Sequence, residues 1–90
     1  MRRVKILVLG KVQNVFFRKH VEDLAISLEI TGYVKNLDDG SVEIVAEGED
    51  SDIEELINFC NCGPIGAEIT KVDVKEEEYV DEFEDFSIRH

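Results

Sequence analysis

Apolar and polar positions divide the 90-residue chain into seven stretches that read as strands and helices. Val4, Ile6 and Val8 fall on one side of an extended run, with Leu7 and Leu9 on the other. That arrangement predicts a central strand that is apolar on both faces near its end. Phe17, Val21, Leu24, Ala25 and Leu28 then recur at the spacing of one helix face. They predict a helix from about Phe17 to Leu28 that stops before Thr31-Gly32. Ile30 to Asn36 reads as a second strand, and Asp39-Gly40 as the two-residue signal of a type I′ hairpin, whose central positions both need positive φ. Val42, Ile44 and Ala46 alternate with Glu43, Val45 and Glu47, a third strand with one wetter face. Ser51-Asp52-Ile53-Glu54 has the form of a capping box, and Ile53, Leu56, Ile57 and Cys60 make the apolar stripe of a second helix. Gly63-Pro64 closes that helix. Ile69 to Lys75 predicts a fourth strand, Glu76 to Glu82 an acidic solvated loop, and Phe83, Phe86 and Ile88 a short last strand.

The order β-α-β-β-α-β plus a tail strand fits an α+β fold, the ferredoxin-like βαββαβ two-layer sandwich. It has an antiparallel sheet with two helices on one face and a short C-terminal strand. The right-handed crossover rule leaves few alternatives. Ninety residues, with no linker, internal repeat or low-complexity segment, suit a single domain over 1–90. A chain of that size buries roughly 60–65% of its unfolded surface, which suffices for a small core.

Charge narrows the function. The chain carries a net charge of −11. Residues 1–37 hold seven Lys/Arg against three Asp/Glu, while residues 38–90 hold three against eighteen. The basic residues are therefore expected to gather around the loop between the first strand and first helix, and the remainder to form a solvated acidic face. The overall sign argues against a nucleic-acid partner, which is bound by neutralising phosphates. No apolar run approaches the length needed to span a bilayer. Gly10-Lys11 ends the first apolar run too early for a secretory leader, so a cytoplasmic protein without a membrane partner is expected. Cys60 and Cys62 are too close together to staple a long loop, and no second Cys or His pair completes a metal site. Cys60 reads as a small core residue and Cys62 as a bystander.

The candidate chemistry lies in Gly10-Lys11-Val12-Gln13-Asn14-Val15-Phe16-Phe17-Arg18, a loop leading from a strand into a helix N-terminus. The first N–H groups of a helix lack intrahelical partners and sit at the positive end of its dipole, so they attract anions. A guanidinium at that entry can grip the same anion bidentately. Asn36, at the end of the second strand, has two roles open to it. It can make an Asx-type bond to the turn backbone, or face the anion and orient a water through its amide oxygen. His20 and His90 read as surface residues, and the adjacent carboxylates Asp38 and Asp39 as solvated turn residues.

Three segments, in order, resemble the acylphosphatase family. Its signature Gly-x-Val-Gln-Gly-Val-x-Phe-Arg is matched by Gly10, Val12, Gln13, Val15, Phe17 and Arg18, with Asn14 in place of the second glycine. Tyr33-Val34-Lys35-Asn36-Leu37-Asp38-Asp39-Gly40-Ser41-Val42 and Gly63-Pro64-Ile65-Gly66-Ala67 match two further segments. The resemblance implies hydrolysis of acyl phosphates to a carboxylate and inorganic phosphate, without metal or cofactor. Backbone N–H groups of Gln13, Asn14, Val15, Phe16, Phe17 and Arg18, with the Arg18 guanidinium, would hold the phosphoryl oxygens, and Asn36 would place the water. The implied partners are a small acyl phosphate and inorganic phosphate, which is both product and competitive inhibitor, and the implied state is a monomer. Two positions depart from the pattern. Asn14 is the non-glycine residue type that best tolerates positive φ, and Leu37 stands where some members carry a hydroxyl. A catalytically weak binding or regulatory module, as at the N-terminus of hydrogenase-maturation proteins, is the alternative; a chain that ends with the domain favours the free enzyme. An RNA-binding domain of the same fold would need stacking aromatics on the central strands, and Val4–Leu9 and Ser41–Glu47 have none.

Overall fold

A computed structural model describes residues 1–13 and 16–90. The elements follow as β1 (Arg2–Lys11), α1 (Phe17–Ser27), β2 (Thr31–Asn36), β3 (Val42–Gly48), α2 (Asp50–Cys62), β4 (Glu68–Glu77) and β5 (Phe86–Arg89). They build one five-stranded sheet in the order β4-β1-β3-β2-β5. The first four strands pair antiparallel, as the sequence predicts, whereas β5 joins parallel to β2 and makes the sheet mixed. Val4, Ile6 and Val8 of β1 are fully buried and belong to one cluster with Phe17, Val21 and Ala25 of α1 and Ile53, Leu56 and Cys60 of α2. The 3.6-residue and two-residue periods thus meet in a single core. Phe17 and Phe59 link the two helices edge to face at 5.9 Å between ring centres.

Three local expectations change. The Asp39-Gly40 turn is not type I′: only Gly40 of residues 38–40 takes positive φ, at 94°. Leu37 N donates to Ser41 O at 2.9 Å and Gly40 N to Leu37 O at 3.2 Å, which gives a three-residue loop with one left-handed position. The Asp39 carboxylate accepts from Ser41 N and its hydroxyl, and this holds its pKa below the usual value. The capping box does not form, because α2 begins at Asp50 with Glu49 at the N-cap and no side-chain cap bond. Ser51 is an exposed residue of the first turn.

The third change concerns the acidic connection. Most of its residues are exposed, as expected, but Glu76 and Glu77 extend β4 and the rest covers the β3 face expected to be wetter. Glu47 is fully buried and Val45 is 3% exposed. Residues 78–85 fold back across this face: Glu47 Oε2 accepts from Val80 N and Asp81 N at 3.1 and 3.2 Å and from Arg3 Nη1 at 3.3 Å. Phe83 stands edge-on to Tyr33, and the Arg89 guanidinium stacks on Tyr33 4.1 Å from the ring centre. This strap carries the chain to β5.

Candidate functional site

β1 delivers the chain to the loop under two constraints. Gly10 sits at the register shift between β1 and β4 with φ 133°, where a Cβ would run into the Glu68 carbonyl. Val12, 1% exposed, anchors the next turn in the core. Asn14 and Val15, and with them the expected positive φ at Asn14, lie outside the described residues. Phe16 takes the left-handed conformation (φ 56°, ψ 27°) as N-cap of α1 and makes no side-chain cap bond. The first backbone bond into the helix runs from His20 N to Phe16 O at 3.0 Å. The N–H groups of Phe17, Arg18 and Lys19 are therefore the orphan donors of this helix start. The first turn contains no acidic residue.

Gln13, Phe16, Phe17, Arg18, Lys19 and Ile88 line a cleft of about 350 Å³ at this helix end. Arg18 is half-buried. Its Nη1 approaches Arg89 O at 3.5 Å and His90 Nδ1 at 3.3 Å. Among the described residues it makes no ion pair, whereas Arg2, Arg3, Lys5, Lys11 and Lys19 each meet at least one carboxylate. The expectation that the basic residues crowd the loop is thus corrected. Most of them neutralise the acidic half of the chain, and Arg18 is left facing the cleft.

Asn36 does not line the cleft. It lies at the end of β2 opposite Val42, and its Oδ1 is buried without a hydrogen-bond partner among the described residues. The Asx-type role weighed for Asn36 belongs to Asp39 instead. The Gln13 side chain connects the loop to this hairpin: its Nε2 donates to Leu37 O at 2.8 Å and Ser41 O at 2.9 Å. Those two carbonyls flank the Asn36–Val42 pair. Sequence reasoning used only the backbone of Gln13 and missed this tie. It also missed the β5 wall, Ile88, the Arg89 carbonyl and the His90 ring, because nothing local announces that the tail pairs parallel to β2. His90, expected to be a surface bystander, is exposed but touches Arg18, while His20 is exposed beside Phe59. Both cysteines are free, and burial pushes the Cys60 thiol up to about 12, out of reach of nucleophilic chemistry.

Among the described residues, no helix is long and apolar enough to cross a membrane. The acylphosphatase family model matches residues 4–88. An acylphosphatase of Syntrophus aciditrophicus (strain SB) is 46% identical over 88 residues, covering 98% of this chain and 92% of that one. The crystal structure of acylphosphatase from Bacillus subtilis superposes with a TM-score of 0.95 at 34% identity, and each chain covers 100% of the other. A full-length HypF in its phosphate- and nucleotide-bound form matches with a TM-score of 0.86 at 32% identity, over 99% of this chain but 12% of that one.

Proposed function

Since the chain belongs to the acylphosphatase family, we propose that it hydrolyses acyl phosphates by in-line attack of water, and that Arg18 and Asn36 carry the chemistry. The phosphoryl oxygens rest on the loop N–H groups from Gln13 to Arg18, including those of Asn14, Val15, Phe16 and Phe17, and on the Arg18 guanidinium. Asn36 accepts a hydrogen bond from the attacking water with the Oδ1 that has no other partner among the described residues. The water oxygen bonds to phosphorus as the bond to the carboxyl oxygen breaks. Its proton passes to a phosphoryl oxygen, and a carboxylate and inorganic phosphate leave. A mixed anhydride has a good leaving group, so positioning and charge stabilisation suffice without a strong base or a covalent intermediate. One observation carries this: a half-buried arginine stands at a helix N-terminus, on a cleft, without a carboxylate partner among the described residues.

The protein acts as a single-domain monomer in the cytoplasm on a small anionic substrate. Its net charge of −11 disfavours nucleic acid. Phosphate release from benzoyl phosphate, measured with EDTA present, tests the activity and its independence of metal together. A folded protein with no release above the uncatalysed rate would leave the binding or regulatory module as the surviving alternative.

A further inference from the structure

Phe16 is placed badly for folding in three ways. It occupies an N-cap, where a side-chain acceptor is preferred, and supplies none. It holds a left-handed backbone at φ 56°, which its Cβ disfavours. Its side chain is also 80% exposed, while Phe17, Phe59, Phe83 and Phe86 are buried or half-buried. The cleft accounts for the ring. Arg18 and the helix N–H groups form a polar end, and Phe16 and Ile88 line the same cleft with apolar surface. Phe17, 1% exposed, adds little accessible area. Lys19, on the rim, is occupied by Glu22 and Asp23 at 3.2 and 3.1 Å, so it is not free to hold a second anionic group.

We infer that Phe16 is a specificity-determining residue that receives the acyl group, favouring acyl phosphates with aromatic or extended apolar acyl groups over acetyl phosphate. This rests on the proposed binding of the phosphoryl group by Arg18. A phosphoryl group anchored there leaves the acyl carbon chain beside the exposed Phe16 ring and Ile88. Aromatic rings meet edge-on or offset with favourable energy, and a two-carbon acyl group is too small to use that surface.

The test compares benzoyl phosphate with acetyl phosphate by phosphate release in the wild type, Phe16→Ala, Phe16→Gly and Phe16→Tyr. Phe16→Ala should lower kcat/KM for benzoyl phosphate by roughly 2- to 13-fold more than for acetyl phosphate, the span of an aromatic contact. Phe16→Gly should give the same selective loss although it relieves the left-handed backbone, and Phe16→Tyr should retain the preference. Equal losses on both substrates, or recovery of benzoyl phosphate turnover in Phe16→Gly, would show that the residue only shapes the loop and would overturn the inference. No loss on either substrate would overturn it as well. A wild type that hydrolyses neither substrate refutes the activity itself, an outcome distinct from unselective variants of an active enzyme.

Discussion

Arg18 stands between two electrostatic demands. A cation at the positive end of a helix is unfavourable by about 0.3–1 kcal/mol, and the first turn of α1 holds no acidic residue to offset it. A bound phosphoryl dianion reverses the sign. Arg18→Ala should therefore keep or slightly raise the melting temperature while kcat/KM falls about 10²–10³-fold, the usual loss for a group that stabilises transition-state charge. Arg18→Lys should not restore the rate, because a point charge lacks the guanidinium fork. Wild-type kinetics in Arg18→Ala would remove Arg18 from the site. Asn36 makes the complementary case. Its proposed partner is the water, so Asn36→Ala should depress kcat far more than it weakens inhibition by phosphate; equal losses would make it a binding residue. The place of Arg18 at the start of α1 was legible from helix position and motif. Its neighbours Arg89 and His90 were not, because they lie 71 and 72 residues away, beyond the reach of any periodicity.

Elements matter to this chemistry through the tie between the β1–α1 loop and the β2–β3 hairpin. Two carbonyls on either side of the Asn36–Val42 pair bond one Gln13 amide, so the loop and the end of β2 are positioned as one unit. If Gln13 acts by holding Asn36 in register with the loop, Gln13→Ala should cost on the order of 10–100-fold in kcat, as a misplacement of about 1 Å does. Combined with Asn36→Ala it should cost little more than Asn36→Ala alone, whereas multiplicative losses would mean that the two residues work separately. At the far end of the sheet, α2 shows where local signals mislead. Ser51 and Glu54 have capping-box spacing, yet the chain turns two residues earlier, from the extended Glu49. Helix boundaries are set by where the strand can be left, and Gly48, packed beside Ile30 and Ile53, fixes that point. Ser51→Ala should change stability by no more than about 0.5 kcal/mol, while Glu49→Ser should add about 0.5–1 kcal/mol by supplying the missing acceptor. Chemical denaturation of the two variants decides the matter: a larger loss in Ser51→Ala would restore the box.

Across the whole molecule, the uneven charge of the two halves becomes a set of contacts rather than a basic pole. β1 carries four of the ten Lys and Arg residues into the sheet, where Arg2 meets Asp50, Glu54 and Glu76, Arg3 meets Glu47, Glu77 and Glu82, and Lys5 meets Glu43. Composition revealed the imbalance but not this distribution, because the pairing is settled by strand order, and the strap of residues 78–85 that buries Glu47 has no periodic signature. The arrangement has a pH consequence with a definite sign. Hydrogen bonding to Arg2 holds the Glu76 carboxyl below its ordinary value. A carboxyl whose folded pKa is depressed stabilises the fold at any pH above its unfolded value, near ~4.3, and the benefit fades as pH falls through the folded value. The Arg2→Ala variant should therefore melt below the wild type at neutral pH, with a gap that holds above the unfolded value and closes as pH falls through the lowered folded value, once Glu76 is protonated in both states. The gap should also narrow in molar salt, since these groups lie at the surface. A difference in melting temperature that stayed the same from neutral to acid pH would assign the loss to the packing of the Arg2 stem, and the ion pairs on β1 would then contribute little to stability.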